Sequence, residues 1–147
     1  MKEEIVVAEL NNQCINLIEL HPNQFRMLVH LRENEIKLID LRLQAVVKRY
    51  KSSYNFQQNI KSAMTPCGTF LFCSGVDAKV YCWNIDTGDQ VAKSSINLDY
   101  IKPARDIDFH PYDNMIALCS YDTYSPIYVF NYNSDSMDFI CLLCHIF

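Results

Sequence analysis

The stretch SGVDAKVYCWNIDTGDQVA, Ser74 to Ala92, holds the only tryptophan of the chain and decides the fold. It reads in two ways. The triplet Asp86-Thr87-Gly88 occurs in the active sites of aspartic proteases. A β-rich run, a glycine-containing turn and a second run are instead typical of two strands joined by a hairpin turn. The rest of the chain decides between a catalytic loop and one unit of a repeating β fold.

The same pattern of residues occurs three times along the chain. Pro22, Pro66 and Pro111 begin equivalent polar turns and recur at spacings of 44 and 45 residues. Ile39 and Trp83 occupy equivalent positions in the first two copies, and Phe130 does so in the third after two extra residues. The three copies are HPNQFRMLVHLRENEIKLIDLR from His21, TPCGTFLFCSGVDAKVYCWNID from Thr65 and HPYDNMIALCSYDTYSPIYVFNYN from His110.

Each copy predicts short strands and no helix. Runs of about four to six residues rich in Val, Ile, Phe and Tyr alternate with polar turns, as in half-buried strands. No run keeps a 3.6-residue apolar period over a dozen residues. Four short strands per repeat of this length are typical of a β-propeller blade. We therefore predict an all-β fold, an incomplete propeller of about three four-stranded antiparallel blades in an open arc.

The repeat divides the chain into blades that need neighbours. A blade-like sheet is apolar on both faces and needs another sheet on each. Three blades leave two faces open, so the chain is a fragment or shortened product, or it assembles with copies of itself or another chain, or it closes as a compact stack. The first alternative is favoured. The predicted divisions are 1–14 as a possible outer strand of a preceding blade, 15–51, 60–95 and 104–133 as blades, and 134–147 as an apolar tail and possible last strand of the third blade.

The second copy resembles the WD40 repeat. Ser74, Asp77 and Trp83-Asn84 stand where that family has a strand hydroxyl, a turn aspartate and its Trp-Asp pair. The resemblance implies that Ser74 and Asp77 hold Trp83 in a side-chain network. The histidine of that network has no counterpart before this blade. The structural repeat positions are Ser74, Asp77, Trp83, Asn84, Asp40, Asn131, Pro22, Pro66 and Pro111.

Longer segments are similar to the propeller of the jouberin family, which are ciliary scaffolds. They are TPCGTFLF, VDAKVYCWNIDTGDQVA and ARDIDFHPYDNMIALCSY. The resemblance implies a non-enzymatic, cytoplasmic scaffold that binds ciliary proteins and acts in cilium assembly at the basal body and transition zone. Self-association through open blade faces is a further expectation. The alternatives are a WD40 interaction module unrelated to cilia and a non-functional fragment of a larger propeller protein.

The motifs that look catalytic have simpler interpretations. An aspartic protease needs two facing carboxylates and a later apolar-apolar-Gly segment, but Gly88 is the last glycine. Cys141 to His145, CLLCH, matches a c-type haem pattern, yet no second Cys-x-x-Cys accompanies it, and an apolar strand is favoured. His21 and His110 both precede proline at one repeat position, which indicates turn residues. We expect no catalytic, cofactor-binding or metal-binding residues and no cofactor.

Composition narrows the function classes further. The 147 residues carry a net charge of −4, and the nearest approach to a basic cluster is Lys48, Arg49 and Lys51. A general nucleic-acid binder needs a clustered basic face, so that class is not expected. No run approaches the roughly 20 apolar residues of a membrane span, and the opening MKEEIVVAEL is not typical of a signal peptide. Seven scattered cysteines predict reduced thiols in a cytosolic protein.

Overall fold

The described residues form three four-stranded antiparallel sheets. The computed structural model describes residues 6–32, 35–51, 61–75, 77–91, 96–97, 104–120, 124–133 and 138–144, and for 96–97, 132–133 and 138–144 the backbone alone. The first sheet contains β1 Ile15–Leu20, β2 Arg26–Leu31, β3 Glu35–Asp40 and β4 Ala45–Lys51. The second contains β5 Ser62–Met64, β6 Phe70–Ser74, β7 Lys79–Asn84 and β8 Ile96–Asn97. The third contains β9 Ala104–Phe109, β10 Met115–Ser120, β11 Ile127–Asn133 and β12 Asp138–Cys144.

Each sheet is a meander in which successive strands are neighbours. The predicted all-β class with three antiparallel four-stranded units is confirmed. The second sheet reaches Asn97, two residues past its predicted end at 95, and β12 of the tail pairs with β11. Within the described residues, no helix is long and apolar enough to cross a membrane.

Strand pairing gives each sheet two distinct apolar faces, because neighbouring residues of a strand point to opposite sides. The front face holds the residue at the tryptophan position, and the back face holds the residue before it. The cross-strand pairs on the front faces are Met27–Ile39, Leu71–Trp83 and Ile116–Phe130. The corresponding pairs on the back faces are Leu28–Leu38, Phe72–Cys82 and Ala117–Val129.

The sheets pack back to front in chain order. Leu28 and Leu38 on the back of the first sheet share a buried cluster with Leu71 and Trp83 on the front of the second. The back of the second sheet meets the front of the third in the same way, through a cluster whose members include Phe72, Cys82, Ile116 and Phe130. Equivalent positions therefore make equivalent contacts, which explains why the apolar pattern recurs with the repeat.

Polar groups buried between the sheets also find partners across the interfaces. The hydroxyl of Tyr50 on β4 donates to the carbonyl of Ile85 at 2.6 Å, and burial raises the pKa of Tyr50. The hydroxyl of Ser74 accepts the backbone N–H of Ala104 at 3.1 Å, where the third sheet begins. These bonds satisfy groups that would be costly to leave unpaired, and they fix the offset between sheets.

The front of the first sheet is covered by the segment of residues 6–13, which we call the N-terminal cap. The predicted strand does not form over these residues, which instead contain a turn of 3-10 helix at Ala8–Leu10. Val7 shares a buried cluster with Val29, Leu31 and Ile39, so a short turn occupies the position that a neighbouring sheet takes at the other front faces.

His30 is a buried polar residue on the back of the first sheet. It lies 44 residues before Ser74 and holds the equivalent position. Its Nδ1 has no hydrogen-bond partner among the described residues. Burial lowers the pKa of His30 to about 4. The ring is therefore neutral near pH 7, and protonating it inside the interface is unfavourable.

Replacing Trp83 tests the sheet-to-sheet contact. Trp83 is 3% exposed, and its ring centroid lies 6.5 Å from that of Tyr50 across the interface. We expect Trp83→Ala to destabilise the fold by about 3–5 kcal/mol because the indole leaves a cavity between two sheets. Thermal or urea unfolding measures this. A shift of only a degree in Tm would show that Trp83 does not support the packing.

His30 predicts a stability loss in mild acid. The unfolded histidine takes up a proton at about pH 6.5, whereas the folded one does so near pH 4, so stability declines as pH falls between these values. From pH 7.5 to 5 the decline due to His30 is about 2 kcal/mol. Urea unfolding of wild type and His30→Ser across this range isolates it, since only the wild type loses this increment. Parallel pH profiles would contradict the assignment.

Candidate interaction surface

One end of the stacked sheets gathers the turns that join β1 to β2, β3 to β4 and their equivalents. In an antiparallel meander these turns leave from the same end of the sheet. We call this surface the turn rim, residues 21–25, 41–44, 65–69, 85–89 and 110–114. Its turns are shaped by short polar side chains, as tight turns require.

The repeat positions predicted from sequence shape the rim. Asp40 accepts the N–H groups of Arg42 and Leu43 at 2.9 and 3.3 Å, and Asn84 accepts those of Asp86 and Thr87 at 3.0 and 3.1 Å. The second residue of the Trp-Asp position thus holds the next turn. The Arg42 guanidinium, hydrogen-bonded to Asp40, lowers the pKa of that carboxyl to about 2. The prolines Pro22, Pro66 and Pro111 lie in the first turn of each sheet.

The two histidines before proline are turn residues in the structure. Nδ1 of His21 accepts the N–H of Asn23 at 3.1 Å, and Nδ1 of His110 accepts that of Asp113 at 3.0 Å. Nε2 of His21 lies 2.9 Å from the carbonyl oxygen of Gly68 on the second sheet. Gly68 has φ +75°, and a Cβ there would lie 2.6 Å from the His21 ring. Only glycine fits this contact between turns of neighbouring sheets.

The WD40 resemblance implies that Ser74 and Asp77 together hold Trp83. In the structure, the two residues make separate contacts. Ser74 joins the second sheet to the third, as described above. Asp77 lies in the turn between β6 and β7, where it accepts the N–H of Lys79 at 3.4 Å and the hydroxyl of Tyr81 at 2.6 Å. The Tyr81 ring in turn lies 6.1 Å from that of Trp83. Asn131 is exposed on β11.

The Asp86-Thr87-Gly88 triplet is a turn that links two sheets. Asp86 accepts a hydrogen bond from Arg26 of the first sheet at 2.7 Å, and Lys48 donates to the Thr87 carbonyl at 3.1 Å. Gly88 has φ +82°, and its N–H bonds the Asn84 carbonyl at 2.9 Å. The geometry is that of a structural turn with an exposed ion pair.

The CLLCH motif falls at the edge of the described residues. Its backbone from Cys141 to Cys144 belongs to β12 and pairs with β11. His145 and the side chains of the motif lie outside the described residues. Within the described part of the chain, no group of three or more His, Cys, Asp or Glu side chains is placed to hold a metal ion.

The rim also exposes apolar and aromatic side chains that the sequence reasoning missed. Phe25 is 50% exposed and Leu43 68%, and Tyr112 on the third sheet is almost fully exposed. The Arg42 guanidinium lies 4.8 Å from the centroid of the Phe25 ring. Aromatic residues and arginine are enriched at protein interfaces. The available signal was Phe25 in the polar turn HPNQF and Leu43 in the turn DLRLQ.

A shallow groove lies where the three inner strands approach one another. It is lined on β1 by Leu17, Ile18 and Glu19 and also by parts of β9 and the start of β5. Lys61 pairs with Asp106 at 2.8 Å. Burial raises the pKa of Glu19, whose Oε1 accepts the Met64 N–H at 3.2 Å. Glu19, Asp106 and Asp108 make the groove acidic, and Lys61 offsets part of this negative charge. The alternating pattern of INLIEL did not predict the groove.

Comparison with known proteins agrees with this geometry. No protein-family model matches the chain. Jouberin of Rattus norvegicus is 36% identical over 133 residues, and jouberin of Mus musculus 37%, in each case over 90% of this chain. This chain is homologous to part of jouberin. It spans 12% of the length of each jouberin.

Further relatives agree on the fold. WD repeat-containing protein 82 of Drosophila melanogaster is 34% identical over 58 residues, which are 40% of this chain and 18% of that protein. Among solved structures, U3-55K superposes with a TM-score of 0.72 at 10% identity over 92% of this chain. The Cps50 (Swd1) β-propeller domain of Myceliophteria thermophila gives 0.67 at 12% identity over 90%. This chain covers 41% of each. The chain therefore has the fold of a partial β-propeller.

Replacing Asp86 separates the structural turn from a catalytic one. Asp86→Asn removes the carboxylate charge opposite Arg26, and because this pair is exposed we expect a stability change below about 1 kcal/mol. We expect no peptide hydrolysis by either form. A peptidase assay on a mixed peptide library, run beside thermal unfolding, measures both. Hydrolysis by the wild type that Asp86→Asn abolishes would restore the catalytic interpretation.

Proposed function

We propose that the chain acts as a cytoplasmic interaction scaffold in cilium assembly, at the basal body and transition zone. One observation carries the proposal, namely the 36–37% identity with jouberin over 90% of the chain. A propeller of the WD40 type is a rigid support that displays turns to other proteins. Because the chain spans 12% of each jouberin, the location, partners and activity of the whole protein belong to the proposal.

The turn rim is the surface we assign to partner binding. Phe25 and Leu43 present apolar area on tight turns, and Arg42 is held by both Asp40 and the Phe25 ring. Side chains fixed in this way lose little conformational entropy on binding. The partners are other proteins, with ciliary scaffold components first among them. A net charge of −4 does not favour nucleic acid.

Localisation in ciliated cells tests the proposal. We expect the tagged chain at the base of the cilium and fewer cilia when the protein is depleted. Leu43→Ser is expected to weaken both recruitment and rescue while leaving Tm within a few degrees, because Leu43 is 68% exposed. Microscopy with rescue of depleted cells measures this.

A matched control distinguishes the rim from exposed apolar residues in general. Ile15, 47% exposed at the start of β1, lies at the end of the strand opposite the rim and outside the groove, so Ile15→Ser should rescue like the wild type. Exclusion of the tagged wild type from basal bodies, together with normal cilia after depletion, would defeat the ciliary proposal. Equal rescue by Leu43→Ser and Ile15→Ser would defeat the rim as the binding surface.

A WD40 interaction module unrelated to cilia is the second candidate. The similarity to WD repeat-containing protein 82 favours it, since that match covers 40% of the chain. Affinity purification separates the candidates: transition-zone proteins support the ciliary role, and another stable complex supports the general module. A third alternative, a non-functional fragment of a larger propeller, is in keeping with coverage of 41% of the solved propellers. Failure to recover any stable complex supports that alternative.

A further inference from the structure

The two ends of the sheet stack are treated differently by the chain. At one end, the front face of the first sheet is covered by the N-terminal cap. At the other end, Ala117 and Val129 on the back face of the third sheet remain partly exposed. The same two kinds of face meet inside the molecule at both sheet-to-sheet interfaces. The first sheet therefore has a surface built to receive a sheet, and its own N-terminus occupies it.

The N-terminal cap is anchored by apolar and polar contacts together. Val7 is 9% exposed, whereas its neighbour Val6 is 63% exposed. The side chain of Lys37, 3% exposed, donates to the Glu9 carbonyl and to Oε1 of Gln13, each at 3.0 Å. Glu9 also pairs with Arg49 on β4. A buried ammonium needs such acceptors, and the cap adds two of them to the ion pair that Lys37 makes at 3.6 Å with Glu35 of its own strand.

Strand register shows which other surface fits the face that the cap covers. The front-face pair Met27–Ile39 is equivalent to Leu71–Trp83, which receives the back face of the first sheet. The back-face pair Ala117–Val129 is equivalent to the pairs Leu28–Leu38 and Phe72–Cys82, which contact a following front face. A second copy thus offers, at its third sheet, the kind of face that the first sheet is shaped to receive.

We propose that the N-terminal cap blocks head-to-tail pairing of two copies, and that its displacement lets the third sheet of each copy dock on the first sheet of the other. Two copies have six sheets, within the four to eight blades typical of closed propellers. A head-to-tail interface that closes gives a ring with twofold symmetry. This inference does not depend on the ciliary role.

Covalent attachment explains why the cap, and not a second copy of the chain, covers this face at ordinary protein concentration. Cys14 alone separates the cap from β1, and the N–H of Arg32 bonds the Cys14 carbonyl at 2.9 Å. A segment tethered this closely competes at an effective concentration near the millimolar range, which a second copy reaches only when the cap is weakened. The chain is therefore a monomer while the cap is bound and pairs with a second copy when the cap is displaced.

Matched substitutions at adjacent positions test the proposal on the full chain. Val7→Asp places a charge under the cap and should release it, whereas Val6→Asp adds the same charge at an exposed position. By sedimentation and light scattering we expect wild type and Val6→Asp near 17.1 kDa. We expect Val7→Asp at about twice that mass, with unchanged β-sheet circular dichroism.

A second substitution tests which faces meet. Val129→Asp, added to Val7→Asp, should return the protein to the monomer mass, because it charges the back face of the third sheet. If Val7→Asp fails to fold, Glu9→Gln replaces it. Losing the pair with Arg49 should strengthen self-association several-fold over wild type.

Four results would overturn the proposal. They are a wild-type dimer with the cap in place, a folded but monomeric Val7→Asp, open assemblies larger than a pair, and a Val7→Asp dimer that Val129→Asp leaves intact. Where Glu9→Gln is the variant used, unchanged self-association overturns it as well.

Discussion

The structure depends on one constraint: a small four-stranded sheet with two apolar faces is stable only when both faces are covered. Each sheet here carries a cross-strand apolar pair on either side, from Met27–Ile39 and Leu28–Leu38 in the first to Ile116–Phe130 and Ala117–Val129 in the third. Stacking back to front covers four of the six faces. The hydrophobic effect thus makes each sheet the support of the next, and stability is shared along the stack.

The front of the first sheet shows how a chain can satisfy this constraint without another sheet. The N-terminal cap supplies Val7 for the apolar face, and the Glu9 carbonyl and Oε1 of Gln13 as acceptors for Lys37. A lysine at the position that Tyr81 holds in the second sheet would be costly under a neighbouring sheet of apolar side chains, unless that sheet also offered oxygen atoms. Any segment or sheet that covers this face must therefore offer oxygen acceptors to Lys37, as the cap does.

The repeat made the strands and their register predictable, because side-chain spacing records which residues must face a neighbouring sheet. Ile39 and Trp83 were aligned from spacing, and Phe130 once two extra residues were allowed, and the three occupy one position in three sheets. The N-terminal cap was not predictable, since VVAEL suits a strand as well as a helical turn and only the uncovered face decides between them. His30 was missed for a related reason: its equivalence to Ser74 gains meaning only once the interface around it is known.

Buried strand positions and the turns of the rim have different requirements. This difference explains why the residue at the tryptophan position varies while the turns stay polar and tightly hydrogen-bonded. Ile, Trp and Phe all fill the front-face position, because apolar surface and volume matter more at a buried contact than the exact shape of the side chain. In the first two sheets, the turn after this position needs a side-chain oxygen that accepts its backbone N–H groups. Asp40 supplies that oxygen in the first sheet and Asn84 in the second. With the turns fixed by these bonds, residues such as Phe25 and Leu43 can change without disturbing the stack. This arrangement suits the proposed scaffold role, because substitutions at the rim can alter partner binding while the core keeps its packing.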